Sequence, residues 1–193
     1  LKIDAADNFF VEGVAGVIVD VEQSPRGEYD IKISHIPWDR LYYDPFARRR
    51  DFKDAKYMGI QMWMDEEDVM ASFPNVKIQD LIPKDEPDET FEDKPRWYLR
   101  SGGKKRFRVA QHFYVENGVW MVCYVNGDTF LTEPVESPYL DEFEQPCCPI
   151  ELVRAYIDRD NNPYGEIATF LDLQDEINHR RSKALHLLSR RQT

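Results

Sequence analysis

The sequence is poor in cysteine and lacks long apolar runs and nucleotide-binding glycine patterns. Its three cysteines, Cys123, Cys147 and Cys148, form no CxxC pair, and their odd number favours reduced thiols over a disulfide framework. The chain has no stretch of 18 apolar residues, so we predict no membrane span, and we expect no signal peptide. These absences argue against a disulfide-rich secreted protein and against a membrane-spanning one.

The residues that are present fit one globular domain with an acidic surface. Apolar residues make up 42% of the 193 residues and aromatic residues 13%, which is enough to build a core. The formal net charge of −11 argues against a protein that binds DNA over its whole surface. This charge is uneven, because residues 179–193 hold five Lys or Arg and no Asp or Glu. A basic segment therefore follows an acidic body.

Hydrophobic periodicity predicts both helices and strands in the first part of the chain. Residues 1–15 predict a helix that ends at Gly13 and Gly16, with one apolar face formed by Ile3, Ala6, Phe9, Phe10 and Val14. Residues 16–22 and 29–36 predict a hairpin, and alternation in the second strand predicts that one face is buried, the face of Tyr29, Ile31 and Ile33.

The middle of the chain is expected to contain a loop, a strand and a short helix. A proline-punctuated aromatic loop from residue 37 leads into a strand near 56–64. Residues 65–74 begin with acids and end at a proline, which predicts a short helix.

Two Asn-Gly steps, Asn117-Gly118 and Asn126-Gly127, predict tight hairpins. Asn and Gly tolerate the positive φ that both central residues of a type I′ turn require. The flanking runs therefore predict three antiparallel strands near residues 106–115, 119–125 and 128–132. One further strand is expected at 150–158.

These patterns predict an α+β fold with mixed, mostly antiparallel sheets, an N-terminal helix, a short central helix and a long C-terminal helix. We divide the chain into an N-terminal α/β part (1–82), an acidic proline-rich loop (83–95), an antiparallel β-meander (96–163) and the start of a long amphipathic helix (164–193). The loop holds six acids and three prolines, a composition typical of a solvated segment.

The C-terminal helix is predicted to run from Glu166 to the end of the chain, with one mostly apolar stripe. The stripe consists of Ile167, Phe170/Leu171, Gln174, Ile177, Arg181, Ala184/Leu185 and Leu188, with Gln174 and Arg181 interrupting it. Acids occupy its first half and basic residues its second half, an order that suits the helix dipole. The candidate contacts with phosphate or with an acidic neighbour are Arg180, Arg181, Lys183, Arg190 and Arg191. An ordinary surface helix explains the same periodicity.

Because no capping residue follows Arg191 and the chain begins with Leu1, we expect a segment excised from a longer protein.

No catalytic, cofactor or metal site is predicted. His179 and His186 lie two helical turns apart, roughly 10 Å, which is too far to share one metal ion. The segment "DRDNNPYG", which begins at Asp158, lacks the glycine and glutamate of an EF-hand and predicts an Asx-rich turn.

The basic patch Arg48-Arg49-Arg50 has two interpretations. It can contact a phosphate group, or it can be a solvated part of the loop.

Three stretches carry a combined pattern that is more specific than any motif above. They are "LYYDPFARRRDFKDAKYMGI" (41–60), "RVAQHFYVENGVW…GDTFL" (108–131) and "NPYGEIATFLDLQDEINHRRSKALHLL" (162–188). Together, in this order and spacing, they resemble the portal proteins of tailed bacteriophages, and those of the short-tailed phages and related prophages most. The block "YG…DLQDEIN.RRSKAL" is the most specific part.

The resemblance implies a structural subunit without enzymatic activity and without a cofactor. Portal subunits form a ring, usually of twelve, at one capsid vertex. Double-stranded DNA is pumped through the ring by a separate terminase and leaves through it at infection. The implied partners are further copies of the chain, DNA, terminase, capsid or scaffold proteins and tail adaptors, with no membrane. The implied location is the virion, after assembly in the host cytoplasm, and the implied fold is the wing-like part with the entry into a stem-type helix.

Two alternatives stay open from the residues. One is a phage-encoded metal-dependent nuclease that uses carboxylates such as Asp44 and Asp158. The other is an adaptor whose basic helix binds nucleic acid or an acidic protein with salt-sensitive affinity.

Overall fold

The computed structural model describes residues 2–24, 27–77, 81, 106–127 and 129–191. The fold is α+β, as predicted, and its helices are α1 (Lys2–Val11), α2 (Glu66–Ser72) and α3 (Leu171–Arg191). The strands are β1 (Val14–Gln23), β2 (Tyr29–Ile36), β3 (Leu41–Tyr43), β4 (Tyr57–Asp65), β5 (Arg106–Glu116), β6 (Val119–Asn126), β7 (Thr129–Phe130), β8 (Val135–Glu136), β9 (Ile150–Arg154), β10 (Tyr156–Ile157) and β11 (Pro163–Tyr164). The acidic loop predicted at 83–95 lies outside the described residues.

Antiparallel pairing organises these strands into sheets. One sheet has the order β2-β1-β9, a larger one has the order β3-β4-β5-β6-β7 with β8 paired to β6, and β10 pairs with β11. In the two larger sheets, β1 pairs with β9 and β4 pairs with β5, so each sheet joins strands from before and after residues 82–105. The division of the chain into 1–82 and 96–163 stays a prediction.

Strand β5 connects two hydrophobic clusters because its alternate residues point to one face. Phe107 and Val109 belong to a cluster beneath helix α2, together with Val69 and Phe73. Phe113, farther along the same face, packs in a second cluster. That second cluster lies between the two larger sheets and under the loop before β4, and its members include Val14, Ile36, Phe52, Ile150 and Leu152. The alternation of apolar residues in the sequence of β5 therefore predicts which of its side chains are buried in the core.

The two Asn-Gly steps have different outcomes. Asn117 and Gly118 both have positive φ, 51° and 85°, and connect β5 to β6 as predicted. The prediction for Asn126-Gly127 was wrong in register, because Asn126 belongs to β6 and pairs with Thr129. Its side-chain Nδ2 donates to the carbonyl of Arg108 at 2.9 Å, which holds Asn126 in the sheet.

The predicted burial of β2 was also wrong. Tyr29, Ile31 and Ile33 are exposed, Ile31 to 75%. The hydrophobic cluster between the two larger sheets takes Val14, Ile18 and Ile36 from this hairpin, and all three lie at the end away from the turn between β1 and β2. β2 is an edge strand, and its outer half extends beyond that cluster.

Three boundaries differ from the prediction. Val14 starts β1 instead of ending α1, because Gly13 with φ 81° ends the helix. The aromatic loop contains a 3₁₀ turn (Trp38–Arg40) and the short strand β3, which pairs with β4. The single strand expected at 150–158 is interrupted at Ala155, whose N–H donates to the Gly13 carbonyl at 2.8 Å, so that β9 pairs with β1 and β10 pairs with β11.

The three cysteines are free thiols, with Cys123 buried. Within the described part of the chain, no helix is both long and apolar enough to cross a membrane.

Candidate functional site

Helix α3 carries the residues that the sequence marks as candidate contacts. It is preceded by a 3₁₀ helix (Glu166–Phe170), so the predicted helix starts at Glu166 but becomes α-helical only at Leu171. The Thr169 hydroxyl donates to the Glu166 carbonyl at 2.7 Å within this first turn. With 21 residues, α3 is roughly 30 Å long.

The base of α3 is fixed against α1 by two glycines. A Cβ on Gly165 would overlap the carbonyls of Phe10 and Val11 at the end of α1. A Cβ on Gly13 would overlap the backbone of Tyr164, and the φ of Gly13 is 81°. The backbones therefore approach as closely as glycine allows, and this contact sets the direction in which α3 leaves the sheets.

From its first residue to Arg190, helix α3 is exposed to solvent on all of its faces. The exposed apolar side chains, each 56–65% accessible, are Leu171, Leu173, Ile177, Leu185, Leu187 and Leu188. Four of them, Leu171, Ile177, Leu185 and Leu188, lie on the predicted stripe. A helix that packs on its own domain normally buries such a stripe. The stripe is therefore available for contacts with another chain.

The predicted contact residues lie in the second half of α3, and all of them except Arg181 lie on one side of the helix. At 3.6 residues per turn, Arg180, Lys183, Arg190 and Arg191 fall within an arc of about 100° that borders the apolar stripe, whereas Arg181 lies inside the stripe. Arg180 forms an ion pair with Glu176 one turn earlier. Arg181 and Lys183 are exposed, and the side chain of Arg191 is outside the described part of the structure.

The carboxylates that the nuclease alternative would use hold their own loops together. Asp44 is buried and accepts hydrogen bonds from the N–H groups of Phe46 (2.9 Å) and Lys56 (3.1 Å). Asp158 forms the predicted Asx turn and accepts from the N–H groups of Asp160 and Asn162, and the latter bond is the main cause that lowers the pKa of Asp158. No group of three or more His, Cys, Asp or Glu side chains in the described ranges is arranged to hold a metal ion.

The patch Arg48-Arg49-Arg50 is divided between two environments. Arg49 faces solvent and makes a two-point contact with Asp51, at 2.9 and 2.8 Å, which raises the pKa of Arg49 and lowers that of Asp51. Arg48 and Arg50 instead line a cleft of about 260 Å³ together with Arg154.

Sequence reasoning missed Arg154, although a signal for it was present. In β9 the buried positions are Ile150, Leu152 and Arg154, so strand alternation places Arg154 on the buried face. A buried arginine on an apolar face is uncommon, and such a residue usually has a polar partner.

Comparison with known families identifies the chain. The family model described as "Phage P22-like portal protein" matches residues 2–119 and 115–193, which is nearly the whole chain. No curated protein matches it. The family match agrees with the resemblance carried by residues 41–60, 108–131 and 162–188, and it assigns a structural role. The chain belongs to the P22-like phage portal protein family.

Proposed function

We propose that this chain is part of a subunit that assembles into a closed ring at one capsid vertex, and that double-stranded DNA enters and leaves the phage head through the ring. The ring has twelve copies in this proposal. Its other partners are the terminase, the capsid or scaffold proteins and the tail adaptors. The family match supports the structural role, and the exposed apolar stripe of α3 is the observation that supports assembly.

The stripe matters because its exposure is unfavourable in water. Burying apolar surface contributes about 25 cal/mol per Å² removed from solvent. Contiguous exposed apolar surface on a folded chain marks an interaction site. Packing α3 of one copy against α3 of its neighbours would bury the side chains of Ile177, Leu185 and Leu188. The stripe would then face the neighbouring helix, with the basic arc beside it.

The basic residues of α3 have two candidate roles in such a ring. Arg180, Arg181, Lys183, Arg190 and Arg191 contact either the phosphates of the DNA or the acidic surface of the adjacent copy. Contacts with phosphate would make DNA binding strongly dependent on salt. Neutralising one such basic residue would reduce the slope of log K against log salt concentration by about one. Contacts between copies would instead change ring stability. Replacing Arg181 and Lys183 by Gln separates the two roles when both quantities are measured.

Assembly of the full-length protein tests the proposal. Sedimentation velocity and electron microscopy should show closed rings for the wild type. The double variant Ile177→Asp with Leu188→Asp should remain monomeric while keeping the thermal unfolding temperature of the wild type, since both side chains are exposed in the single chain. Ser182→Asp, about 100° around the helix from the centre of the stripe, is the matched control and should assemble better than the double variant. A wild-type protein that stays monomeric at every concentration and salt condition would overturn the proposed ring.

A further inference from the structure

The cleft beside Arg154 contains an arginine whose hydrogen-bonding groups are not used. The Arg154 side chain is 2% exposed, and its Nε and Nη2 have no hydrogen-bond partner among the described residues. Its Cζ lies 4.9 Å from the centre of the Phe52 ring. The ring offers a favourable surface for the cation but no hydrogen-bond acceptor. Burying an arginine with unpaired N–H groups is costly, and a ligand that pairs with these groups would offset that cost.

The surroundings of Arg154 are arranged as a cationic cleft with apolar walls. The Arg154 N–H donates to the Arg50 carbonyl at 3.0 Å, and Arg50 Nη2 donates to the Ala155 carbonyl at 2.8 Å, so the two segments hold each other in place. Arg48 and Arg50 are exposed at the rim. Tyr156, whose ring stacks on Tyr164, and Ile157 form the apolar side of the cleft.

The nearby acids do not neutralise this cleft by direct contact with Arg154. Asp54 lies within electrostatic range of Arg154, but its carboxylate accepts the backbone N–H groups of Arg48 and Arg49. Glu166 accepts a hydrogen bond from Tyr156, which raises the pKa of that tyrosine. The three guanidinium groups therefore favour an anion brought from outside. A carboxylate on a projecting side chain can reach the buried guanidinium, whereas the phosphates of duplex DNA lie along a broad convex backbone.

Such a carboxylate is presented by the same chain at the opposite end of β9. Residues 132–149 contain five acids and no Lys or Arg. Within them, the loop 140–146 is closed by a bridge between Leu140 and Pro146 and by a hydrogen bond from the Asp141 N–H to the Gln145 carbonyl at 2.9 Å. Asp141 Oδ1 also accepts the N–H groups of Phe143 and Gln145. We call this loop the acidic knob.

The acidic knob is closed by its own hydrogen bonds and is exposed to solvent. Its tip consists of Glu142, Phe143 and Glu144, all exposed, and the Phe143 side chain is 72% accessible. Glu144 is held at φ 60° by the turn. A loop fixed in one conformation loses little entropy on binding. An apolar ring between two carboxylates matches a cleft that has three arginines and two aromatic rings.

The cleft and the acidic knob of one chain are too far apart to meet. Arg154 pairs with Val14 at one end of β1, whereas Tyr139, just before the knob, donates its hydroxyl to Asp20 at 3.0 Å. Six residues of strand separate Val14 from Asp20, which is about 20 Å. Two complementary surfaces separated in this way are what a head-to-tail contact between identical copies requires.

We propose that the arginine cleft binds the acidic knob of a second copy of this chain, with the Glu142 or Glu144 carboxylate on Arg48, Arg50 and Arg154 and Phe143 against the Tyr156 side of the cleft. This inference rests on the proposed ring and identifies one contact that closes it. Because the chain carries a net charge of −11, copies repel one another at long range. The local pairing of opposite charges then selects the register in which copies associate.

Charge reversal in the full-length protein tests the contact. Assembly of Arg50→Glu and of Glu142→Arg, measured by mass photometry at fixed protein and salt concentrations, should be weakened about tenfold or more in dissociation constant relative to wild type. The double variant with both changes should recover part of the loss, because position 50 again faces the opposite charge at position 142 while Arg48 and Arg154 keep their charge. Arg49→Glu is the matched control. It changes the same tripeptide outside the cleft and should assemble within about twofold of wild type.

A second variant separates binding from folding. Arg154→Met should melt at the wild-type temperature or above it, since an apolar side chain replaces an unpaired buried charge. The same variant should assemble as weakly as Arg50→Glu. Wild-type assembly by Arg154→Met or by Arg50→Glu, or no recovery in the double variant, would overturn the inference and leave the ring intact. A wild-type protein that never assembles would overturn the ring proposal and this contact with it.

Discussion

Strand β5 and helix α3 differ in where their apolar side chains lie. Phe107, Val109 and Phe113 of β5 are at most 1% exposed, while Ile177 and Leu188 of α3 are both more than half exposed. The β5 side chains contribute to the folding of a single chain, because their burial is complete within it. Those of α3 contribute little to it. The comparison separates residues that stabilise the subunit from residues that are available to join subunits.

The largest expected effect tests this separation directly. Phe113→Ala should lower the free energy of unfolding by about 3–5 kcal/mol, because it leaves a cavity between the sheets. Leu188→Ala should change it by no more than about 0.5 kcal/mol. Urea denaturation followed by circular dichroism measures both. If both variants lose the same free energy of unfolding, α3 contributes to the core as β5 does, and the proposed difference between them is wrong.

The contact that joins the two regions should be nearly as sensitive. Gly13→Ala is expected to cost about 2–5 kcal/mol, since it adds both the strain of a positive φ and an overlap with the Tyr164 backbone. Gly27→Ala is the control, because Gly27 has φ 84° and open space around it. It should show only the strain, about 1–2 kcal/mol. If the two variants lose equal stability, α1 does not hold the base of α3.

A smaller effect concerns the turn between β10 and β11. Hydrogen bonding, first from the Asn162 N–H, lowers the pKa of Asp158 below its ordinary value of about 3.9. A carboxylate with a lowered pKa in the folded state stabilises that state above the ordinary pKa, and the contribution is lost as pH falls through the folded-state value. Asp158→Asn should therefore melt below wild type at pH 7. The difference should shrink in acid, and a constant difference down to pH 2 would contradict the explanation.

The smallest effect is expected within α3 itself. Glu176→Gln removes the ion pair with Arg180, which should cost about 0.2–0.5 kcal/mol at low salt and less at high salt. Asp172→Gln, earlier in the helix, is a control for the general effect of losing an acid near the helix N-terminus. A loss of several kcal/mol on Glu176→Gln would indicate that α3 is stabilised by its charges more than by assembly.

The sequence predicts most of the secondary structure because its local signals are strong. The end of α1 just before Gly13 and the I′ turn at Asn117 follow from the positive φ that these positions require. Helix α2 follows from the acids in its first turn, which suit the helix dipole. The sequence predicts less accurately which apolar side chains are exposed to solvent. Ile31 and Ile33 alternate as in a half-buried strand, but whether they are buried depends on how far the cluster formed with distant residues such as Phe113 and Ile150 extends along the hairpin.

The candidate site was predicted only in part. Position and charge identify the basic half of α3, and its contacts stay a prediction. The cleft was not found because its third arginine, Arg154, comes from a distant strand and becomes a neighbour of Arg50 only when β9 pairs with β1. Alternation in "IELVR" placed Arg154 on the inner face, but no local pattern connects it to residues 48–50.

The position of β1 between β2 and β9 has a consequence for synthesis on the ribosome. The hairpin with β2 can form early, whereas the opposite edge of β1 remains unpaired until nearly four-fifths of these residues have been translated. Open strand edges are templates for aggregation. Nascent chains of this protein are therefore most vulnerable before Ile150 emerges, and premature termination upstream of that residue should yield insoluble product.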